Sequence, residues 1–328
     1  MSMGYIGSSR NATERNFTDA SASALPGRVR NSVAGMPAMQ IAIRPGGNMG
    51  NCMMQLMMAH KLRSLIPGAR ITGYRINELN LIGDDTIDST RNIEIGGHFT
   101  DVSRLVYCAR AGLIDTITIR GIFCRVEYFL ELDEVRSIFG ITRVEPRFRV
   151  DQIVCNVRGG QVLEGGHPDY LPVPLAFYEK IIGETGLNPV FLGQLSDDYY
   201  CRALRARWPN AEFIASGGPL EDFRQLLGAT HLAVAVSTFS WLAAWLGFAE
   251  NIHMPLLGFL NPLQRRQIDL IPVPDARFRF WKFPVTIFHG TEDERERILS
   301  GNWPIERASS DDLRLAKMVY AQQPSVTT

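Results

Sequence analysis

The sequence predicts an α/β fold with parallel sheets, divided between two domains. In the second half of the chain, near-continuously apolar segments alternate with amphipathic ones, which is the pattern of buried parallel strands joined by covering helices. Glycine and polar residues follow the apolar segments, as they do at the strand ends where α/β sheets bind ligands. The length of 328 residues also exceeds what one hydrophobic core usually holds.

The first half begins with a polar arm at 1–35, rich in Ser, Asn and Ala, for which we expect no regular structure. A first domain, 36–150, opens with a buried strand at 39–44. A helix at 52–65 follows, and Pro67 and Gly68 end it. The pattern then predicts a strand at 70–76, a helix at 102–111, a strand at 115–120 and a helix at 127–139.

The second domain, 151–285, has the clearer alternation of strands and helices. A tail at 286–328 contains a polar helix at 309–321, and whether this helix packs back onto the first domain stays open. The predicted strands of the second domain are 152–157, 189–195, 212–215, 231–237 and 252–258, and its predicted helices are 175–185, 197–207, 220–228 and 239–248.

Composition excludes several classes of partner. Lysine plus arginine equal aspartate plus glutamate, at 34 each, so no overall field favours nucleic acid or membranes. No apolar run is long enough for a membrane span, and the N-terminus lacks the apolar core of a signal peptide. We therefore expect a cytoplasmic protein, with peripheral membrane contact left open. The five cysteines lack zinc-ligand spacing, which predicts reduced thiols and no metal site.

The first strand leads into a glycine-rich turn, PGGNMGN at 45–51. It does not have the GxGxxG spacing of dinucleotide-binding proteins, because Pro45 stands where the first glycine belongs, and it lacks the Lys-Ser or Lys-Thr of a phosphate-binding P-loop. A nicotinamide-dependent dehydrogenase or epimerase is therefore disfavoured. Two interpretations remain: an anion site at a helix N-terminus, or a plain strand–helix turn.

Three strand ends in the second domain carry groups that suit a phosphorylated ligand. Arg158 ends one strand and is followed by two glycines, so its guanidinium can reach a diphosphate. Ser237 and Thr238 supply hydroxyls and backbone amides where another helix begins. Asp198 follows a third strand, either as an N-cap or as an acceptor for the edge of a guanine. We therefore expect these strand ends to form one cleft.

The combination of four segments resembles the bacterial α-1,2-fucosyltransferases. RPGGNMGNCMMQ at 44–55 is similar to their GGLGNQMFQ turn, and NVRGG at 156–160 to their HxRRGD motif. SDD at 196–198 resembles their FSDD, and Glu221-Asp222 followed by STFSWLAAWL at 237–246 resembles their ED and SSFSWWGAWL segments. The wider group includes the nodulation and protein O-fucosyltransferases. The resemblance implies a GT-B-type fold, in which two Rossmann-like domains face each other across a cleft.

The resemblance also implies a reaction. It is an inverting, metal-independent transfer of fucose from GDP-fucose to a saccharide hydroxyl, in surface polysaccharide or glycan synthesis, with no cofactor beyond the donor. Domain 36–150 would face the acceptor and domain 151–285 would bind the donor. This sequence has Asn156, Gly159 and Gln161 where the motif has His, Arg and Asp. A different nucleotide sugar, or a degenerate binder without catalysis, therefore stays open.

The resemblance assigns roles to individual residues. Arg158 would hold the β-phosphate and stabilise departing GDP, and Asp198 would read the guanine. Asn51 would approach the donor from the opposing domain. The remaining donor-binding positions are Gly50, Asn156, Asp222, Ser237, Thr238 and Phe239.

An inverting transfer needs a base that takes the proton of the acceptor hydroxyl. Glu164 is our first candidate, because some related enzymes have an acidic residue several positions beyond the arginine. His98, in the first domain, is the alternative, and His167 and Asp169 are further candidates on the loop after Arg158. The sequence contains no DxD motif, in agreement with a metal-free mechanism.

Overall fold

Two separate parallel sheets organise the chain in the computed structural model, which describes residues 39–86, 89–143 and 145–321. The predicted arm at 1–35 lies outside the described residues. The α/β class predicted from the alternating pattern is confirmed. No helix within the described ranges is both long and apolar enough to span a membrane.

The first sheet has four strands in the order β2-β1-β6-β5, all parallel. A small antiparallel hairpin, β3 and β4, flanks a single 3₁₀ turn at Asn77–Leu79. The elements are β1 (Gln40–Ile43), α1 (Met49–Leu65), β2 (Arg70–Thr72), β3 (Arg75–Ile76), β4 (Leu81–Ile82), β5 (Asn92–Ile95), α2 (Val102–Arg110), β6 (Thr116–Ile119) and α3 (Leu132–Ile138).

The second sheet has seven strands in the order β13-β12-β11-β10-β7-β8-β9, parallel except for the edge strand β13. Its elements are β7 (Gln152–Val157), α4 (Leu175–Thr185), β8 (Asn188–Gly193), α5 (Tyr199–Arg207), β9 (Glu212–Ala215), α6 (Pro219–Leu227), β10 (His231–Ala233), α7 (Thr238–Leu246), β11 (Asn251–Leu256), β12 (Phe278–Lys282), α8 (Glu292–Leu299), β13 (Glu306–Arg307) and α9 (Ser310–Ala321).

The strand order of the second sheet reverses between β7 and β10. The chain runs outward through β7, β8 and β9, and then returns to place β10 on the other side of β7, with Leu232 opposite Val154. Open α/β sheets bind ligands at such a switch point, beyond the carboxyl ends of the strands. The loops that begin at Arg158 and Ser237 leave the sheet at this point.

Two predicted elements of the first domain are wrong in extent. The strand predicted at 70–76 divides at Gly73 (φ +71°), and only β2 belongs to the sheet. The helix predicted at 127–139 begins at Leu132, because the preceding residues make tertiary contacts instead. The amide of Val126 donates to the carbonyl of Asp269, and the Phe129 ring packs on Trp245 at 5.5 Å. A capping box of Glu131 and Glu134 then starts α3.

Three elements that the sequence pattern did not indicate follow β11: β12 in the predicted second domain, and α8 and β13 in the predicted tail. Strand β12 pairs in parallel with β11 and buries Phe280 and Trp281. The C-terminal helix α9 forms beside this strand, where Asp312 pairs with Lys282 at 3.2 Å. The domain boundaries proposed from the sequence stay a prediction.

Helices α1 and α7 contact each other between the two sheets. Trp241 and Trp245 of α7 are buried and stacked, with ring centroids 5.5 Å apart, and Trp241 Nε1 donates to the carbonyl of Leu270 at 2.8 Å. These contacts place the tryptophan pair in the hydrophobic core. The five cysteines are free thiols, as expected, although Cys52 and Cys108 are only half-buried.

Candidate functional site

A cavity of about 300 Å³ lies at the switch point of the second sheet. It is bounded by the loops that follow β7, β8, β9 and β10, and by two segments of the first half of the chain. Its lining residues are Asn48, Met49 and Glu78 from the first half, and Asn156, Val157, Arg158, Gly193, Gln194, Ser216, Pro219, Asp222, Ser237 and Phe239 from the second.

Arg158 is the cation of this cavity. All six residues of β7 are buried. Arg158 follows directly at the carboxyl end of this strand and is half-buried. No acidic side chain within the described parts of the chain forms an ion pair with it. An arginine that is held at a cleft without a counter-charge attracts an anion, and its planar fork suits phosphate oxygens.

Gln194 occupies the space beside Gly159, the residue that follows Arg158. The Gly159 amide donates to Gln194 Oε1 at 3.2 Å, and a Cβ on residue 159 would lie 2.7 Å from the Gln194 carbonyl oxygen. An arginine, which the fucosyltransferase motif has here, does not fit without a backbone shift. The backbone at residue 159 therefore leaves no space for a side chain in this chain.

Asn156 takes the place of the motif's histidine. Its side chain is 6% exposed and lines the cavity. Its Nδ2 donates to the carbonyl of Leu192 at 3.0 Å, which fixes the amide against β8. Asn156 therefore supplies a fixed polar group at the cavity floor.

The N-terminus of α7 opens onto the cavity. Ser237 is the N-cap residue, with extended backbone, but its hydroxyl makes no capping hydrogen bond. Ser240, which is fully buried, has a structural role instead, because its Oγ accepts from the Ala235 amide at 3.0 Å. The Ser237 hydroxyl and the first amides of α7 thus remain for a ligand.

Helix α1 brings a second N-terminus to the same place. Thr238 Oγ1 donates to Asn51 Oδ1 at 2.9 Å, across the two halves of the chain. A Cβ on Gly50 would lie 2.8 Å from the Phe239 amide nitrogen, so only glycine permits this approach. Four predicted donor-binding residues therefore meet at one point, and two helix N-termini contribute positive potential there.

The three helices that begin at the cavity have no side-chain caps, unlike several helices elsewhere. Helices α2, α5 and α8 have side-chain caps: Asp101 accepts from Arg104 at 3.0 Å, Asp198 from Cys201 at 2.7 Å and Thr291 from Glu294 at 3.4 Å. Helices α1, α6 and α7, whose first turns line the cavity, have none. Helix α4, which begins away from the cavity, also lacks a side-chain cap, at Pro174. The first amides of α1, α6 and α7 therefore have no side-chain partner at the cavity.

Asp222 is the buried carboxylate of the lining, 7% exposed. Its Oδ2 accepts from the Ser216 hydroxyl at 2.5 Å, and its Oδ1 from the Gly217 amide at 2.9 Å. These bonds fix the loop after β9 and leave each oxygen a second lone pair. Asp222 is therefore a rigid acceptor at the edge of the cavity.

Asp198 and Glu164 lie outside this lining. Asp198 caps α5 and also accepts from the Ser196 hydroxyl, so the structure places it in the N-cap role rather than against the ligand. Glu164 is exposed at the end of a 3₁₀ turn. Both residues border a neighbouring depression of about 250 Å³, together with Tyr199 and Arg295.

The remaining base candidates form a cluster around Arg265. Asp169 is buried and its carboxylate is engaged, by Gln264 at 2.7 Å and Arg265 at 3.0 Å. His167 accepts from the Asp169 amide through Nδ1. His98 belongs to the first half of the chain, and burial, assisted by the charges of Arg265 and Arg125, lowers its pKa to about 4. His98 is therefore neutral near pH 7.

This cluster adjoins Arg158. Burial raises the pKa of Tyr170, and the charges of Arg265 and Arg158 oppose that rise, so both guanidinium groups lie near its ring. Tyr170 packs on Phe259 at 4.9 Å and edge-on to His167 at 5.0 Å. Tyr170 therefore belongs to the same cluster as His167.

Eight of the thirteen lining residues are not among the individually predicted site residues: Asn48, Met49, Glu78, Val157, Gly193, Gln194, Ser216 and Pro219. Gln194 and Ser216 directly follow β8 and β9, so their position after a strand was the available signal. Glu78 comes from the 3₁₀ turn between β3 and β4, and no sequence pattern connects that turn with the second sheet. Within the described residues, no group of three or more His, Cys, Asp and Glu side chains is arranged to hold a metal ion.

No protein-family model matches the sequence, and comparison with curated proteins gives no match. Solved structures give distant likenesses. A mutant of FUT1 from Arabidopsis thaliana, in complex with GDP, is 9% identical with a TM-score of 0.43, over 80% of this chain and 74% of that one. A family 9 glycosyltransferase from Veillonella parvula is 14% identical with a TM-score of 0.41, over 86% of this chain and 97% of that one. The ADP-heptose heptosyltransferase II of E. coli is 12% identical with a TM-score of 0.38, over 86% of this chain and 99% of that one.

Proposed function

We propose that this protein is an inverting glycosyltransferase that takes its sugar from a nucleoside diphosphate sugar, with GDP-fucose as the favoured donor, and transfers it to a saccharide hydroxyl. The observation that carries the proposal is the unpaired Arg158, which faces two uncapped helix N-termini in one cavity. The cytoplasmic setting and the link to surface polysaccharide or glycan synthesis rest on the sequence resemblance.

The cavity suits a diphosphate. One guanidinium, the Ser237 hydroxyl and the first amides of α7 are all hydrogen-bond donors, and the Coulomb field of both helix termini is positive. A diphosphate bound there supplies the negative charge that Arg158 otherwise lacks. This is the arrangement expected for holding a leaving group and not for a structural ion pair.

Leaving-group stabilisation is then the main catalytic effect. As the acceptor oxygen attacks the anomeric carbon, the bond to the β-phosphate oxygen breaks and negative charge grows on the departing diphosphate. Arg158 and the amides of α7 are fixed before the reaction, so they stabilise this charge without reorganisation. Direct displacement from the opposite face inverts the anomeric centre.

We assign base recognition to Asp222 and not to Asp198. The guanine edge presents two N–H donors, and a carboxylate is the matching acceptor. Asp222 lines the cavity and is held rigidly by Ser216 and Gly217, whereas Asp198 is engaged in capping α5.

Glu164 and His98 stay as candidate general bases. Glu164 is exposed on the turn that follows Arg158, and neutral His98 approaches from the first half of the chain beside Arg265. A His98 base would keep kcat constant from pH 8 to 5, whereas loss of kcat in Glu164→Gln with normal donor affinity identifies Glu164. These two measurements separate the candidates.

A non-catalytic nucleotide-sugar binder is the second candidate. This candidate is favoured by the surroundings of Gly159, where the carbonyl oxygen of Gln194 leaves no space for the second arginine of the motif. Such a protein would bind the donor through the same groups but would not cleave it into sugar and nucleoside diphosphate. Turnover of the donor, with and without acceptor sugars, distinguishes the two.

The first experiment is calorimetric titration of the wild-type protein with GDP, UDP, ADP and CMP, without added metal. We expect selective GDP binding that Arg158→Ala weakens at least tenfold, because a charge-assisted contact to phosphate is lost. Arg104→Ala is the matched control, since Arg104 is exposed on α2.

Each outcome of the titration has a defined meaning. Selective binding of another nucleotide would leave the proposal of a glycosyltransferase in place, but would show that GDP-fucose is not its donor. Binding of none of the four would contradict the donor site itself. Binding of GDP without donor turnover would favour the non-catalytic candidate.

A further inference from the structure

One carboxylate in the cavity comes from the opposite side of the cleft. Glu78 lies in the 3₁₀ turn at Asn77–Leu79, between β3 and β4, and its side chain lines the cavity that contains Arg158. It is half-buried, and no hydrogen-bond or ion-pair partner for it occurs within the described ranges. A carboxylate held in a cavity without a donor is an acceptor available to a ligand.

The surroundings of Glu78 define its place along the cavity. The turn that carries it packs against α6, whose first residue, Pro219, is also in the lining. On its other side is the first turn of α1. Burial raises the pKa of the Cys52 thiol there, and the charge of Glu78 raises it further. Glu78 therefore lies between the start of α1 and the start of α6.

These two helix starts mark different ends of a bound nucleotide. The start of α1 contacts Thr238 and the Phe239 amide, at the diphosphate end. The start of α6 carries Asp222, at the base end. The part of a nucleotide that joins its diphosphate to its base is the ribose, and the ribose 2′- and 3′-hydroxyls are adjacent hydrogen-bond donors.

We propose that Glu78 accepts hydrogen bonds from the ribose hydroxyls of the donor nucleotide and so makes the protein selective for ribonucleotides. The inference rests on the proposed function, because it places the diphosphate at Arg158. Two carboxylate oxygens match two neighbouring hydroxyls, and a negative side chain is unsuited to the phosphate end. Glu78 also belongs to the first half of the chain, so the nucleotide contacts both halves.

The test compares GDP, 2′-deoxy-GDP and inosine diphosphate, which lacks the guanine amino group, by calorimetry. Wild-type protein is expected to bind GDP about tenfold more tightly than 2′-deoxy-GDP, which is the effect of losing one hydrogen bond to a charged group. Glu78→Ala should reduce this ratio to about twofold and leave the preference for GDP over inosine diphosphate unchanged.

Asp222→Asn is the matched control, and it should show the opposite pattern: a reduced preference over inosine diphosphate and an unchanged preference over 2′-deoxy-GDP. Glu78→Ala should keep the wild-type Tm, because Glu78 has no described partner to lose. If the wild-type protein prefers another nucleotide, the 2′-deoxy form of that nucleotide takes the place of 2′-deoxy-GDP.

An unchanged ribose preference in Glu78→Ala would overturn the inference and leave the proposed function intact. Loss of the guanine preference in that variant would overturn it too, because Glu78 would then contact the base. If the wild-type protein binds no nucleoside diphosphate, the proposed function and the inference both fail.

Discussion

Arg158 shows how a single residue gains its function from its position. The buried strand β7 places its guanidinium at the switch point, where no acidic side chain of the described residues forms an ion pair with it. An unpaired cation in a partly desolvated site is costly unless a ligand pairs with it. We therefore expect Arg158 to serve ligand binding and not the stability of the fold.

Arg158→Ala is expected to cost roughly 2–4 kcal/mol of transition-state stabilisation, which is typical for losing a donor to developing negative charge. The measurement is kcat/KM with the donor that binds in calorimetry, alongside Arg104→Ala. Turnover near the wild-type level in the Arg158 variant would remove the residue from the mechanism.

Gly50 offers a second prediction at this scale. Its α-carbon faces the Phe239 amide so closely that a methyl group would lie 2.8 Å from that nitrogen. Gly50→Ala should push α1 away from α7, lower the Tm and weaken nucleotide binding at least tenfold, because the two helix starts separate.

Gly46→Ala is the control within the same turn, since a Cβ there meets nothing within 4 Å. It should bind nucleotide like the wild type. Equal behaviour of the two variants would show that the contact between α1 and α7 is unimportant for the site.

At the scale of elements, helix starts separate structural from functional groups. Asp198 caps α5 through the Cys201 amide, whereas Ser237 begins α7 without capping it. The two residues look alike in sequence, since each follows an apolar segment and precedes a helix. Only the location of each helix start relative to the cavity distinguishes them.

Asp198→Ala should lower the free energy of unfolding by about 0.5–2 kcal/mol and leave nucleotide affinity unchanged, because a helix cap is lost away from the cavity. Ser237→Ala should do the reverse, with stability within about 0.5 kcal/mol of wild type and weaker nucleotide binding. Urea unfolding and calorimetry check both. A loss of affinity in Asp198→Ala alone would return the base-reading role to that residue.

For the whole molecule, three histidines link stability to pH. Burial is the main cause that lowers the pKa of His60, His98 and His253, each to about 4. Above pH 6.5 these side chains are neutral in both folded and unfolded states, so they add no pH dependence. Between pH 6.5 and about 4 the unfolded chain takes up protons that the folded chain excludes, and stability falls.

The Tm should therefore fall steadily from pH 7 to 5, with proton uptake on unfolding that approaches three. His60→Gln should flatten the curve with little structural cost, because glutamine is a good helix former at this position in α1. A Tm that is constant over this interval would contradict the buried neutral histidines.

Much of the second sheet could be predicted from local pattern. Strand β7, strand β9 and helix α4 have the predicted bounds, because their apolar periodicity is strong and their ends carry turn residues. The first half was predicted less well. Residues 127–131 have helical composition, but Phe129 and Val126 make tertiary contacts that a helix would break.

The sequence by itself determined the α/β class and the position of Arg158 at a strand end. These properties depend on residue periodicity and on short motifs, which are local. Only the tertiary structure decided that Asp222 lines the cavity while Asp198 caps a helix, and that Glu78 joins the lining from the turn between β3 and β4. The physical reason is that such choices depend on which loops the strand order brings together, and contacts between distant segments leave no periodic trace in the sequence.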